Sequence, residues 1–168
     1  MNQLHPGAVW QFRIYGYILF SFLGIFLGQF VAVPLAMLLV ILAGFSEESI
    51  IIIGILSVII SIIFVIIASE VYARMSYARW FYEFTDDRLK TERGIIWKRY
   101  SNIPYERIQN VDIHRGIIAR MLGFSSFMIQ TAGYSAQPQS EGNIPAIEMN
   151  QAEKLRGFIM KKITSQRK

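Results

Sequence analysis

The sequence predicts a two-helix transmembrane hairpin followed by a mainly-β domain that a C-terminal helix closes. Three observations predict it. Two long uncharged runs, residues 14–46 and 49–69, are parted only by Glu47-Glu48. From Arg79 onward the hydrophobic residues alternate with a period of two, the signature of strands. Leu155, Phe158, Ile159 and Ile163 then recur at helical spacing, as one stripe of an amphipathic helix.

A helix needs about 20 apolar residues to cross a hydrocarbon core of roughly 30 Å. Residues 50–68 are almost solid Ile and Val, without charge or proline. Their β-propensity suggests a strand, but backbone groups in lipid must be satisfied within the segment, which selects helix. The expected layout is a cytoplasmic lead, 1–13, then a hairpin, 14–69, with spans of about 16–43 and 50–69. The few residues between the spans allow only an antiparallel pair. Arg13 precedes the first span, the connector has no Lys or Arg, and Arg74 and Arg79 follow the second. Basic flanks stay inside, so the expectation is a multi-pass protein of the cell membrane with both termini cytoplasmic. Tyr15 and Tyr17 at one end, and Tyr72, Tyr77 and Trp80 near the other, suit an interfacial aromatic belt. The first run is too long for a cleaved signal peptide, and a second span follows at once.

Within the first span Gly24, Gly28, Ala32 and Ala36 repeat every four residues and form a small-residue ridge. Such ridges let helix backbones approach closely. Gly54, Ser57 and Ser61 offer a matching face. The ridge serves packing within the hairpin or, alternatively, a homo-oligomer. Pro34 is expected to kink the helix. Gln29 is the only strongly polar side chain in either span. Apart from the connector pair, no Asp, Glu, His, Lys or Arg lies between Arg13 and Glu70, which argues against an ion or proton pathway.

All but one of the 17 Lys and Arg, and all but two of the 12 acids, lie from Glu70 onward. That segment is basic. Tied to a membrane, it is drawn to anionic lipid, and nothing calls for nucleic acid. Arg74, Arg79, Lys161, Lys162, Arg167 and Lys168 are the expected membrane-surface contacts. With no cysteine there is no disulfide and no thiol chemistry.

The remaining segment, 77–168, reads as one small cytoplasmic domain. Residues 79–85 form a strand in which Trp80, Tyr82 and Phe84 share a face. Asp86-Asp87 is a tight turn, and residues 88–93 return as a second strand. Gly94 permits a turn, and residues 95–101 form a third strand bearing Trp97 and Tyr100. Pro104 breaks the pattern, since proline cannot donate to a central ladder. Residues 107–114 form a strand whose apolar set changes parity, so a bulge is expected. Gly116 opens a short helical turn, 117–122, closed by Gly123. A strand follows at 125–132, then a polar tip at 133–143 and a short strand at 146–149. Asn150 with Glu153 reads as a capping box for a helix over 150–164.

Tyr82-Glu-Phe-Thr-Asp-Asp-Arg-Leu89, Gly94-Ile95, Ile103-Pro104, Arg107-Ile-Gln-Asn-Val-Asp112, Gly116, Arg120, Gly123 and Thr131-Ala-Gly133 follow in one order. Together they resemble the bacterial pleckstrin-homology-like, membrane-flanked domain of YdbS-type proteins. The resemblance covers about residues 77–163. It implies a bent, roughly seven-stranded barrel capped by a C-terminal helix, with no settled catalytic residue. His114-Arg115 departs from the commoner Gln before the glycine, and Phe124 from Leu.

Arg107, Asp112 and Arg120 read as a charge cluster tying strand to short helix, or as a recognition face together with Gln109 and Arg115. The expected function is a non-catalytic membrane-anchored module that recruits or modulates a membrane or cytoplasmic protein. The alternative is a sensor of anionic lipid headgroups. Eukaryotic pleckstrin-homology domains hold inositol phosphates around a long basic first hairpin loop. Here that loop reads as Asp86-Asp87, tight and acidic, which disfavours the sensor. No nucleophile–base motif, phosphate loop or metal-ligand spacing is present, so neither catalysis, nor a cofactor, nor a metal is expected.

Overall fold

The computed structural model describes residues 1–44, 47–131 and 142–166. The chain forms two compact units. One is Phe12–Arg74; the other joins Met1–Gln11 to Met75–Lys168.

The first unit is the hairpin. Its helices are α1 (Ala8–Leu27), α2 (Val33–Ala43) and α3 (Glu47–Ala78). Ala8–Ala43 and Ile51–Ala78, of 36 and 28 residues, are each long and apolar enough to cross a membrane. Almost no residue in their most apolar windows is buried, unlike a soluble core helix, so Ile, Leu and Phe face outward, as helices that cross a membrane require. The helices run antiparallel: a methyl added at Gly16 would sit 3.1 Å from the Ser69 Cα, at Gly24 3.2 Å from Val65 and at Gly28 3.3 Å from Ser61. Phe20 lies edge-on to both Phe64 and Tyr72. The close approach therefore starts at Gly16, two turns before Gly24. Gly54, expected on the matching face, meets nothing within 4 Å among the described residues. The side chain of Ala32 lies outside the described residues.

Between α1 and α2 the backbone makes a π-helical turn, Gly28–Ala32, in which the Val33 N–H donates to the Gly28 carbonyl. Pro34 explains its place. Proline has no N–H and its ring crowds the carbonyl four residues back, so the ladder widens just ahead of it. At the other end Arg13 makes a bidentate pair with Glu70, at 2.6 and 2.8 Å, and Arg74 reaches the same carboxylate at 2.6 Å.

Because the Gly28 position already touches Ser61, Gly28→Leu is expected to force the helices apart, at a cost of about 1–3 kcal/mol. Earlier unfolding in SDS at unchanged oligomer size is the expected result. Loss of a dimer would instead assign the ridge to self-association.

The second unit contains two antiparallel sheets. The first has the order β1-β2-β3-β4 and the second β5-β6-β7. Their strands are β1 (Asn2–Gln3), β2 (Phe81–Phe84), β3 (Arg88–Arg93), β4 (Arg99–Pro104), β5 (Ile108–His114), β6 (Phe124–Thr131) and β7 (Gly142–Glu148). Helix α4 (Ile117–Met121) joins β5 to β6, and α5 (Met149–Gln166) follows β7. Leu89, Ile103, Ile108, Val111, Phe127, Ile129, Ile144 and Ile147 fill the core, and Ala152, Ile159 and Ile163 on α5 are buried as well.

Several strand boundaries differ from expectation, each for a physical reason. The third strand is not 95–101 but Arg99–Pro104, because residues 94–98 form the loop that turns the chain back. Pro104 ends that strand opposite Arg88. β4 is an edge strand, where a missing N–H costs little. Pro145 likewise sits within the edge strand β7, which extends from Gly142 rather than from 146. The expected bulge is present, with a register shift between Ile108 and Asn110. Helix α5 begins at Met149, so Asn150 is inside its first turn rather than capping it. Of the polar tip at 133–143, residues 133–141 lie outside the described residues.

The lead is not a separate extension. Asn2 and Gln3 pair with Tyr82 and Phe81, making β1 the first strand of the first sheet. The His5 N–H donates to the Ala146 carbonyl of β7 at 3.1 Å, and Tyr77 Oη donates to the Leu4 carbonyl at 3.3 Å. Leu4 and Ala8 are buried. A methyl at Gly7 would come within 2.5 Å of the Phe124 ring. The β1–β2 connection therefore carries the whole membrane hairpin, and Asp86-Asp87 is the second connection, not the first hairpin loop.

Candidate functional site

The β5–β6 corner presents the first candidate surface. Gly116 is extended, α4 runs for five residues, and Gly123 at φ +76 ends it. Ala119 is buried and fixes which side of α4 meets the domain. A helix this short buries one side chain and turns the rest outward. Ile117 is 71% exposed and Met121 81%, with Ile118 half-exposed between them. Arg115 Nε donates to the Phe124 carbonyl at 3.3 Å, which places its guanidinium at the rim of this corner. Arg120 is exposed on α4 itself.

The other expected recognition residues are not gathered here. Arg107 is exposed in the 3₁₀ turn Tyr105–Arg107, and Gln109 is exposed at the bulge. Asp112 does not pair with Arg107 or Arg120. Its carboxylate accepts from Asn110 Nδ2 at 3.0 Å and from Gln130 Nε2 at 2.7 Å. The expected charge cluster is thus replaced by an amide–carboxylate network across β5 and β6.

The β2–β3 turn is self-contained. Thr85 Oγ1 donates to the Arg88 carbonyl, and Arg88 Nε and Nη2 both donate to Asp87 Oδ2, at 2.9 and 2.6 Å. The Arg88 guanidinium holds the Asp87 carboxyl down to about 2. It stays anionic throughout the physiological range and repels a phosphate. Tyr105 braces the same turn by donating its hydroxyl to the Thr85 carbonyl at 2.7 Å; burial pushes its phenol up to about 12, so it remains a donor. A cleft of about 670 Å³ between β1, β2 and α5 is lined by both Glu83 and Lys154, a mixed surface rather than an anion site.

Of the expected membrane contacts, Arg74 is engaged by Glu70, and Arg79 donates to the Ile95 carbonyl. Lys161 is exposed on α5, and the Lys162 ammonium lies 5.6 Å from the Phe158 ring centroid. Arg167 and Lys168 lie outside the described residues. In the hairpin, Ser21, Gly24, Gly28, Gln29, Ser57 and Ser61 line a groove of about 330 Å³. Ser57 and Ser61 donate their hydroxyls to carbonyls of their own helix, at 2.8 Å each, which makes them tolerable in lipid.

Two antiparallel sheets and a closing C-terminal helix form a pleckstrin-homology-like fold. A family model described as the bacterial PH domain matches residues 20–163, most of the chain. The chain belongs to the bacterial PH domain family. A curated relative is the UPF0699 transmembrane protein YdbT of Bacillus subtilis (strain 168), 25% identical over 93 residues. The match covers 55% of this chain and 18% of that protein, so this chain spans less than a fifth of its relative. No solved structure matches. With its two helices long and apolar enough to cross a membrane, this bacterial PH domain is a membrane-associated module, and PH-like domains are generally non-catalytic. Sequence reasoning missed the exposed apolar residues of α4. The signal was available: Ile117, Ile118 and Met121 surround a helix of under two turns, and one sheet cannot bury them all.

Proposed function

We propose that this bacterial PH domain is a non-catalytic, membrane-anchored module on the cytoplasmic face, whose α4 corner recruits or modulates a protein partner. The observation that carries the reading is the pairing of exposed Ile117 and Met121 with Arg115 and Arg120. A clustered apolar patch on a monomer marks a binding surface. Met and Arg are enriched in interface cores, Met because it adapts its shape to a partner. The acidic turn at Asp86-Asp87 disfavours a headgroup pocket there. The charge asymmetry of the hairpin, Arg13 and Arg74 at one end and Glu48 at the other, supports two crossings with both termini inside.

A photo-crosslinking residue at Met121, in the full chain and in its native membrane, tests the reading. A stoichiometric protein adduct that Ile117→Asp removes is expected. Adducts with lipid alone would favour the headgroup sensor. Orientation is read separately. A cysteine at Ser49 should react with a membrane-impermeant thiol reagent from outside intact cells, and one at Lys154 should not. The reverse pattern overturns the orientation and leaves the α4 surface in question.

A further inference from the structure

The β3–β4 loop carries two large apolar side chains that cover nothing. Ile96 is 82% exposed and its neighbour Trp97 87%. Tyr100, just inside β4, is also exposed. Side chains of this size are seldom left in water together. We propose that this loop is a lipid-inserting tip, with Ile96 and Trp97 seated in the headgroup region of the bilayer that holds the chain's own helices.

Three observations favour lipid as the occupant. The first is composition. Trp is enriched at the membrane interface because its ring is apolar and its N–H is polar. Around it stand Arg79, Arg93, Lys98 and Arg99, with Glu92 as the nearby acid, paired to Lys98 at 2.9 Å. An apolar tip within a basic collar complements an anionic leaflet. The second is position within the domain. Glu92, at the end of β3, pairs with Phe81, at the start of β2. The loop therefore lies at the end of the sheet where the chain enters from α3. Arg79, the residue after α3, donates to the carbonyl of Ile95 in the loop itself. The opposite end of the sheet carries Asp86, Asp87 and Glu106 with Arg88 and Arg107, where acids outnumber bases. The third is rigidity. Gly94, at φ +127, lies so close to the Trp97 carbonyl that a methyl there would overlap it. The loop is held in one tight conformation, so insertion costs little ordering. Spread basic charge over the domain predicts only delocalised attraction. The loop instead defines one point of entry.

The chain has no cysteine, so a single label is clean. An environment-sensitive dye on Ile96→Cys, in the full chain reconstituted in vesicles of phosphatidylcholine and phosphatidylglycerol, should emit to the blue of its value in water. Lipid carrying a spin label near the headgroup should remove most of that emission. The same dye on Glu106→Cys, at the far end of the sheet, should show neither effect. Trp97→Asp should return the label at position 96 to aqueous emission. A blue shift that lipid spin labels leave unquenched means the loop packs on another protein copy, and overturns the proposal. Aqueous emission at position 96 in the unaltered loop overturns it as well. Neither outcome bears on the α4 surface.

Discussion

Gly94→Ala is expected to destabilise the domain by about 2–4 kcal/mol, among the largest effects of any single-methyl change here. Two costs add. At φ +127 an L-residue pays steric strain that glycine does not. The new methyl would also overlap the Trp97 carbonyl, which is backbone and cannot rotate away. The loop must open, and opening it releases the Arg79 contact at Ile95 and shifts β4 against β3. Gly116→Ala supplies the control. That glycine has φ −70, and an added methyl meets nothing within 4 Å, so its change should lie within about 0.5 kcal/mol of neutral. Limited proteolysis in mild detergent separates the two: faster cleavage between residues 93 and 100 for Gly94→Ala, and an unaltered pattern for Gly116→Ala. Equal behaviour of the two variants would show that the loop is not held as described.

The hairpin was the most legible part of the sequence, because lipid imposes one requirement on every residue and an uncharged run meets it visibly. The strand Arg88–Arg93, set off by the Asp86-Asp87 turn and by Gly94, was equally readable. Misreadings arose where a local rule met a tertiary exception. Pro104 looks like a breaker, yet it lies on an edge strand with no ladder donor to lose. Ile95, Ile96 and Trp97 look like strand residues, yet Gly94 turns the chain before they can pair. The surface residues were the least readable. Asp112 was expected to meet an arginine, but its partners Asn110 and Gln130 come from its own strand and the neighbouring one, and register decides such pairs. Exposure of Ile117 and Met121 depends on which face of α4 meets the domain, and a five-residue helix has too few positions to display a stripe.

Leu4→Asp is expected to cost about 3 kcal/mol or more, although the lead shows no strand pattern of its own. Leu4 is 3% exposed, so the substitution would bury a carboxylate. Leu4→Ala should cost about 2–5 kcal/mol, through lost burial and the cavity left behind. Met1→Ala should be nearly neutral, since that side chain is exposed. The role of the lead is topological as well as local. β1 is the partner of β2 in the first sheet, and His5 bonds β7 of the second, so the lead touches both sheets of a domain whose other strands begin at Phe81. Losing it exposes the β2 edge and unpairs the Ala146 carbonyl, neither of which the hairpin can replace. The effect should therefore be confined. Alkaline carbonate should leave Leu4→Asp in the membrane as firmly as the parent chain, while protease removes residues 81–163 faster. If the β-domain kept its full protease resistance, β1 would be an ornament of the sheet, and the domain would be complete from residue 75 onward.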